Sequence, residues 1–431
     1  MKGGSRRPHA RRWRRWPWAL LGAFLITRFV MVILAGDPDW YTGDGLPATP
    51  YVYQSRDWAL QVVALHETPY AGAPIEYPPG LLPFILVPAW VLRVARIPYL
   101  PTFVLLMIVV DALGLLGTWR LSIRWGSRLG PWVWVVGLAV LGPMVFLRLD
   151  LVPAVATIWS LQRVAAAAPG QAGAFLGFGV LAKIYPAFLL PGAAVLVRPF
   201  RRFMSGTLIA IVAGLLPFAF VLGPMIRSVG GFHLGRGIQI ESVWGNGFIV
   251  ARSFGYEAEV GQAFGSWDIV EGAGAVPELL STVLSIAAVV WLTWWASRLP
   301  SDRSGRTLAV IWFATISCLL VTGSVLSPQY LIWSIALGAA AACAIGAISR
   351  RTMVALGIAT LLTHVGFPFL FAGLIEAEPV SVVVLTGRNA ALALVAVSAI
   401  VDVRHLVEEP LPDLGPLADA DVAPADPGGV G

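Results

Sequence analysis

Long apolar runs recur along almost the whole of this chain, each about as long as a helix must be to cross roughly 30 Å of hydrocarbon. Backbone placed in lipid must satisfy its own N–H and C=O groups. Runs of this length therefore restrict the chain to a bundle of membrane helices. Composition agrees. Of 431 residues, 57% are hydrophobic and only 13% are charged, against about 25% charged in a soluble domain. The fold class expected is all-α, a polytopic integral membrane bundle. Candidate spans are 17–36, 79–97, 100–118, 131–147, 150–167, 172–197, 204–222, 277–297, 307–325, 329–348, 353–373 and 380–401, or about twelve transmembrane helices. They form one domain over 17–403, between a basic arm at 1–16 and a Pro-, Ala-, Gly- and Asp-rich tail at 404–431. The tail is expected to be disordered and cytoplasmic.

Charge placement sets the orientation. Residues 1–16 hold Lys2, Arg6, Arg7, Arg11, Arg12, Arg14 and Arg15 and no acid, which predicts a cytoplasmic N-terminus. A secretory signal is the rival reading, but Pro17 to Gly36 is long for one and no clean small-residue cleavage site follows. The arm abuts a membrane helix, so anionic lipid rather than nucleic acid is its expected partner. Counting spans then places Arg198/Arg201/Arg202, Arg298/Arg303/Arg306 and Arg350/Arg351 in the cytoplasm, with long outer loops at 37–77 and 223–276.

Residues 119–129 carry three arginines, yet this count puts them outside. An alternative makes them cytoplasmic and splits 172–197 into two half-helices around Lys183-Ile184-Tyr185-Pro186, where proline breaks or kinks a helix. The sequence leaves both threadings open.

The first outer loop is acidic, with Asp37, Asp39, Asp44, Asp57, Glu67 and Glu76 against Arg56 alone. Carboxylates at the mouth of a helix bundle are where a general base for extracytoplasmic sugar transfer is expected. Solvation of an outer surface explains most of them. Asp44 and Glu76 are explained less well, because each lies beside turn-forming Gly or Pro near a membrane boundary. Residues 51–67 read as an interfacial helix with Trp58 as an anchor.

Ionisable residues inside spans are costly and mark functional candidates. They are Arg28, Asp111, Arg148, Asp150, Lys183 and Arg388. The bland alternatives are snorkelling for Arg28 or Arg388, and mutual pairing for Arg148 and Asp150. In the second outer loop Arg236-Gly237-Ile238-Gln239-Ile240-Glu241-Ser242 alternates polar and apolar residues. That pattern is a short strand, or a segment offering Arg, Gln, Glu and Ser to a sugar or phosphate. Ser327-Pro328-Gln329-Tyr330 stands at a helix entry, and His364 reads as a core residue. Cys318 and Cys343 imply neither a disulfide framework nor a zinc site. No Walker motif, dinucleotide fingerprint, metal-ligand spacing or internal repeat is present, so no cofactor is expected.

Taken in order, the basic arm, the acidic loop ending in Pro69-Tyr70 and Ile75-Glu76-Tyr77-Pro78-Pro79-Gly80, then Arg148-Leu149-Asp150, Leu181 to Pro186, Arg236 to Ser242 and Leu326 to Trp333 resemble glycosyltransferase family 87. These are the polyprenol-phosphate-mannose-dependent mannosyltransferases of the GT-C superfamily. The resemblance covers residues 17–400. It implies an outward-facing active site, a polyprenyl-phosphate sugar donor, a lipid, glycan or protein acceptor, and inversion at the anomeric carbon. It also implies a catalytic Asp a few residues before a Tyr in the first outer loop. If that Tyr is Tyr53, the fourth residue before it is Thr49, and Asp44 fits only across a short insertion. The family histidine near the SPQY position is replaced here by Gln329 and Tyr330. On this reading Asp44 is the general base, with Glu76 and Asp57 behind it. Arg28, Arg236, Lys183 and Arg388 bind donor phosphate, while Tyr53, Tyr77, Arg148, Asp150, Gln239, Glu241, Gln329 and Tyr330 shape the substrate cavity. A secondary transporter is the alternative, because intramembrane charges and Gly/Pro-interrupted spans also suit one.

Overall fold

The computed structural model describes residues 16–36, 49–234, 237–263, 265–272, 275–299, 305–409 and 411. Within them the chain is a membrane helix bundle. Six helices are long and apolar enough to cross a bilayer: Pro17–Gly36, Tyr99–Trp125, Phe200–Gly231, Ala275–Ala296, Arg350–Phe369 and Pro379–Glu408. Shorter apolar helices pack among them, including Leu129–Leu141, Leu151–Ala165 and Arg306–Thr322. Arg306–Thr322 and Leu331–Ala342 are buried almost throughout. Ala275–Ala296 instead turns Leu279, Val283, Ile286 and Val290 outward, as a lipid-facing helix does.

Contacts between helix ends define two ends of the bundle. At one end Trp125 and Val164 meet Gly305, Gly126 bridges to Ala344, and Arg124 donates to the Ala165 carbonyl. Arg202 lies against Gly170, and Ser349 bonds to Asp402. The arginines of 119–129, 198–202 and 350–351 therefore share this basic end. The opposite end gathers Tyr51, Tyr77, Arg148, Asp150, Lys183 and Glu241.

This arrangement corrects the span assignment of the first half. Residues 79–97 do not run to the basic end. The helix Leu82–Ala95 lies back against Pro50–Val63, with Arg93 donating to the Val63 carbonyl. Tyr99 Oη bonds to the Ile85 carbonyl at 3.2 Å, so the next long helix starts near the tyrosine-rich end. The stretch 172–197 breaks into Pro169–Ala182 and Leu190–Leu196 around Lys183 and Ile184, so the chain passes between the two ends twice there. Pro186 removes a backbone donor where the helix would have to continue.

Backbone contact fixes the neighbouring pair. A Cβ at Gly173 would lie 1.8 Å from the Phe203 carbonyl oxygen, and one at Gly206 would lie 1.9 Å from that of Gly170. Small residues permit this approach where burial in lipid supplies no hydrophobic drive between helices.

Two further expectations change. The all-α class gains a small antiparallel sheet in order β1-β3-β2, from Ile238–Gln239 (β1), Glu259–Ala263 (β2) and Ser266–Glu271 (β3). Ile238 pairs with Ile269 and Gln239 with Asp268, so the polar–apolar alternation of this segment is a strand edge. The tail begins later than residue 404, because the last helix runs to Glu408 with Val403 and Leu406 buried.

Candidate functional site

Five charged side chains from separate parts of the chain converge near Tyr51 and Tyr77. Arg148 and Asp150 flank the turn into Leu151–Ala165, where a one-turn 3₁₀ segment, Pro143–Leu147, ends the preceding pass. Lys183 sits at the break after Pro169–Ala182 in extended conformation, which frees its side chain to reach sideways. Its Nζ lies 2.7 Å from Asp150 Oδ1. That oxygen also accepts from Trp333 Nε1 at 2.8 Å.

Aromatic rings wall this pair. Tyr185, Trp333 and Tyr330 stack in series, with 4.0 Å between centroids at each step. Lys183 Nζ lies 4.7 Å from the Tyr330 ring centre and 5.0 Å from that of Trp333, within cation–π range. Arg148 lies over the Tyr51 ring, its guanidinium carbon 3.5 Å from the ring centre. The Tyr51 hydroxyl donates to the Gly265 carbonyl. One tyrosine thus ties the helix Pro50–Val63 to the turn of the β2–β3 hairpin beside Arg148.

The segment Ile238 to Ser242 is buried in the bundle next to this group. Arg388 Nη2 donates to the Glu241 carbonyl at 2.6 Å, and the same nitrogen lies 3.9 Å from Glu241 Oε1. Asn389 adds longer contacts to the carbonyls of Glu241 and Ser242. Burial pushes the Glu241 carboxyl up to about 7, while Arg388 and Arg148 pull it back down. The Tyr77 hydroxyl is also raised by burial, against the opposing field of Arg148.

Gln239 is engaged in structure. Its Nε2 donates to Ser327 Oγ at 3.2 Å and Glu241 Oε2 at 3.3 Å, and its Oε1 accepts from Leu326 N–H at 2.8 Å. It latches the Ile238 to Ser242 segment to the Ser327–Tyr330 turn. Gln329 is buried in that turn.

Several predicted residues stand elsewhere. Asp44 and Arg236 lie outside the described residues. Arg28 is engaged with other partners. Its Nε and Nη2 donate to Asp111 at 2.7 and 3.1 Å, and its Nη1 donates to the Val135 carbonyl at 2.6 Å. Trp134 Nε1 adds a bond to the same carboxylate at 2.8 Å. Arg28 therefore pins the first helix to its neighbours. Asp57 is exposed and paired with adjacent Arg56 at 2.9 Å, as a solvated face would be. Tyr53 is exposed under Arg56. Glu76 adjoins Tyr77 and acts on it electrostatically, which puts it at the edge of the group. Trp58 is buried edge-on against Tyr77 at 5.8 Å and is not an interfacial anchor.

The residues that sequence reading missed are Tyr51, Tyr185, Trp333 and Asn389. A signal existed for one of them: Trp333 stands three residues after Tyr330, on one helical face. Among the described residues no three His, Cys, Asp or Glu side chains gather as a metal site. Compared with known proteins, the chain matches no family model and no curated sequence.

Proposed function

We propose that this protein is a membrane glycosyltransferase of GT-C type that moves a mannosyl or related hexosyl unit from a polyprenyl-phosphate carrier to an extracytoplasmic acceptor. The observation that carries this reading is the convergence of Arg148, Lys183 and Arg388 with Asp150 and Glu241 under the first outer loop. A lipid phosphate leaving group develops negative charge, and fixed cations in a site shielded from water stabilise it strongly. Arg148 and Lys183 are held by a ring face and a carboxylate, so their positions need no reorganisation during transfer. The stacked Tyr185, Trp333 and Tyr330 offer rigid aromatic surface beside those charges, suited to a sugar ring. The general base comes from the first outer loop. Asp44 is the residue implied by the family resemblance, and Glu76 is its rival at the edge of the group. A membrane-bound donor and acceptor would meet here, at the end opposite the arginine-rich loops. The positive-inside rule supports an extracytoplasmic side for that end.

The test is a membrane assay with radiolabelled polyprenyl-phosphate mannose and lipid or glycan acceptors. Membranes carrying the protein should transfer label, and those carrying Asp44→Asn should not. Absence of transfer with every acceptor would overturn the reading. Loss in Glu76→Gln with Asp44→Asn fully active would move the base to Glu76.

A further inference from the structure

A separate group of side chains lies toward the basic end of the bundle. Trp159, on Leu151–Ala165, touches both neighbouring helices. Its Nε1 donates to the Leu113 carbonyl of Tyr99–Trp125 at 3.1 Å, and its ring stacks on Phe175 of Pro169–Ala182 at 5.8 Å. Two arginines close on this one ring. The guanidinium carbon of Arg120 is 5.1 Å from the ring centre and that of Arg163 is 5.6 Å. Among the described residues neither is in an ion pair. Arg163 Nη1 donates to Gln171 Oε1 at 3.3 Å, and its Nε has no acceptor.

The direction of these side chains is unlike that of an ordinary interfacial arginine. Both helices run from the tyrosine-rich end to the basic end, and helical side chains lean toward the N-terminus. Arg163 lies one turn past Trp159. Arg120 lies one turn past Gly117, where a Cβ would meet Trp159 Nε1 at 3.5 Å. Both guanidiniums therefore lean back from the basic end, into the bilayer, instead of snorkelling out of it. Leu113, which Trp159 bonds, is about 18 Å of helical rise from Trp125 at the end of its helix. Arg120 is exposed and shares its helical face with Leu116 and Ile123, also exposed, so this face meets lipid. Cations in that position are costly without an anion, and one shared ring face offsets only part of the cost for two like charges.

We propose that Arg120 and Arg163 hold the headgroup phosphate of an anionic phospholipid in the leaflet at the basic end, with an acyl chain lying along Leu116 and Phe175. The occupant follows from charge and position together. Basic pockets between membrane helices select anionic headgroups, and guanidinium forks match phosphate oxygens. A zwitterionic headgroup brings its own ammonium to two cations, and a soluble anion lacks the chain that would cover Leu116 and Phe175. The site lies at the end opposite Lys183 and Asp150, and it does not depend on sugar transfer.

Phosphatidylglycerol is the probe, with phosphatidylcholine of the same chains and glycerol phosphate as controls. Bound mass is read by native mass spectrometry of the whole protein in neutral detergent. Wild type should retain phosphatidylglycerol about tenfold or more tightly than phosphatidylcholine, and should not retain glycerol phosphate. Arg120→Gln, at an exposed position, should cut that preference about fivefold, and Arg120→Gln with Arg163→Gln should abolish it. Arg350→Gln with Arg351→Gln removes the same charge from exposed positions at the same end and should leave the preference intact. Equal retention of the two phospholipids by wild type would overturn the proposal, as would retention of glycerol phosphate. So would an unchanged preference in Arg120→Gln, or an equal loss in the Arg350 and Arg351 variant.

Discussion

Lys183 reaches across from a broken helix to place its ammonium 2.7 Å from Asp150 Oδ1, the same oxygen that accepts from Trp333. The two residues are far apart in sequence, and the pair welds the turn before Leu151–Ala165 to the break after Pro169–Ala182. Asp150→Asn should leave a poorly solvated ammonium without its counter-charge and cost about 3 kcal/mol. Thermal melting in detergent should show the loss, and transfer activity should vanish with it. Asp150→Asn combined with Lys183→Met should recover most of the stability and none of the activity. Restored activity in the double variant would place the pair outside the chemistry.

Arg28 and Asp111 make the contrasting case. Their bidentate pair is buried, and Trp134 and the Val135 carbonyl complete it. Arg28→Gln should destabilise the protein by about 3–5 kcal/mol, because a carboxylate is left buried and unpaired. In the protein that still folds, the apparent KM for donor should be unchanged. A raised KM with unchanged melting temperature would return Arg28 to the donor site.

Glu241 should make stability depend on pH. Burial holds its carboxyl at about 7, above the ordinary 4.5. Between those values the folded protein keeps a proton that the unfolded chain releases. The contribution is therefore complete below about pH 4.5, falls as pH rises, and is gone above about 7. It is on the order of 3 kcal/mol. Unfolding in detergent from about pH 4 to 8 measures it, and Glu241→Gln should flatten that part of the profile. An equal slope in wild type and variant would refute the assignment.

Topology gives the sharpest test of the first half. Single cysteines at Ile97 and Ser127 are probed with a membrane-impermeant reagent in intact cells, after replacement of the buried Cys318 and Cys343. Residue 97 should label and residue 127 should not. The reverse result would restore 79–97 as a crossing and put the 119–129 arginines outside.

Much of the fold was legible in the chain. Apolar runs must be helices in lipid because no other open structure satisfies their backbone there, and Phe200–Gly231, Ala275–Ala296 and Pro379–Glu408 stand close to their expected places. The arginine clusters marked one face, and the alternation around Gln239 marked a strand edge. The embedded charges were equally visible as Arg28, Asp111, Arg148, Asp150, Lys183 and Arg388. Their pairing was not. Hydropathy is a local sum, whereas the partner of a buried charge is set by which helices pack together and where each is broken. Arg28 found Asp111 and became a structural pin. Arg148 met Tyr51 rather than Asp150's charge alone, and Lys183 took Asp150 because Pro186 stopped its helix. The same limit explains 79–97, which is apolar enough to cross yet folds back along Pro50–Val63. Sequence determined that these groups would be costly to bury; only tertiary packing decided which of them would be left with an unused donor, as Arg388 is.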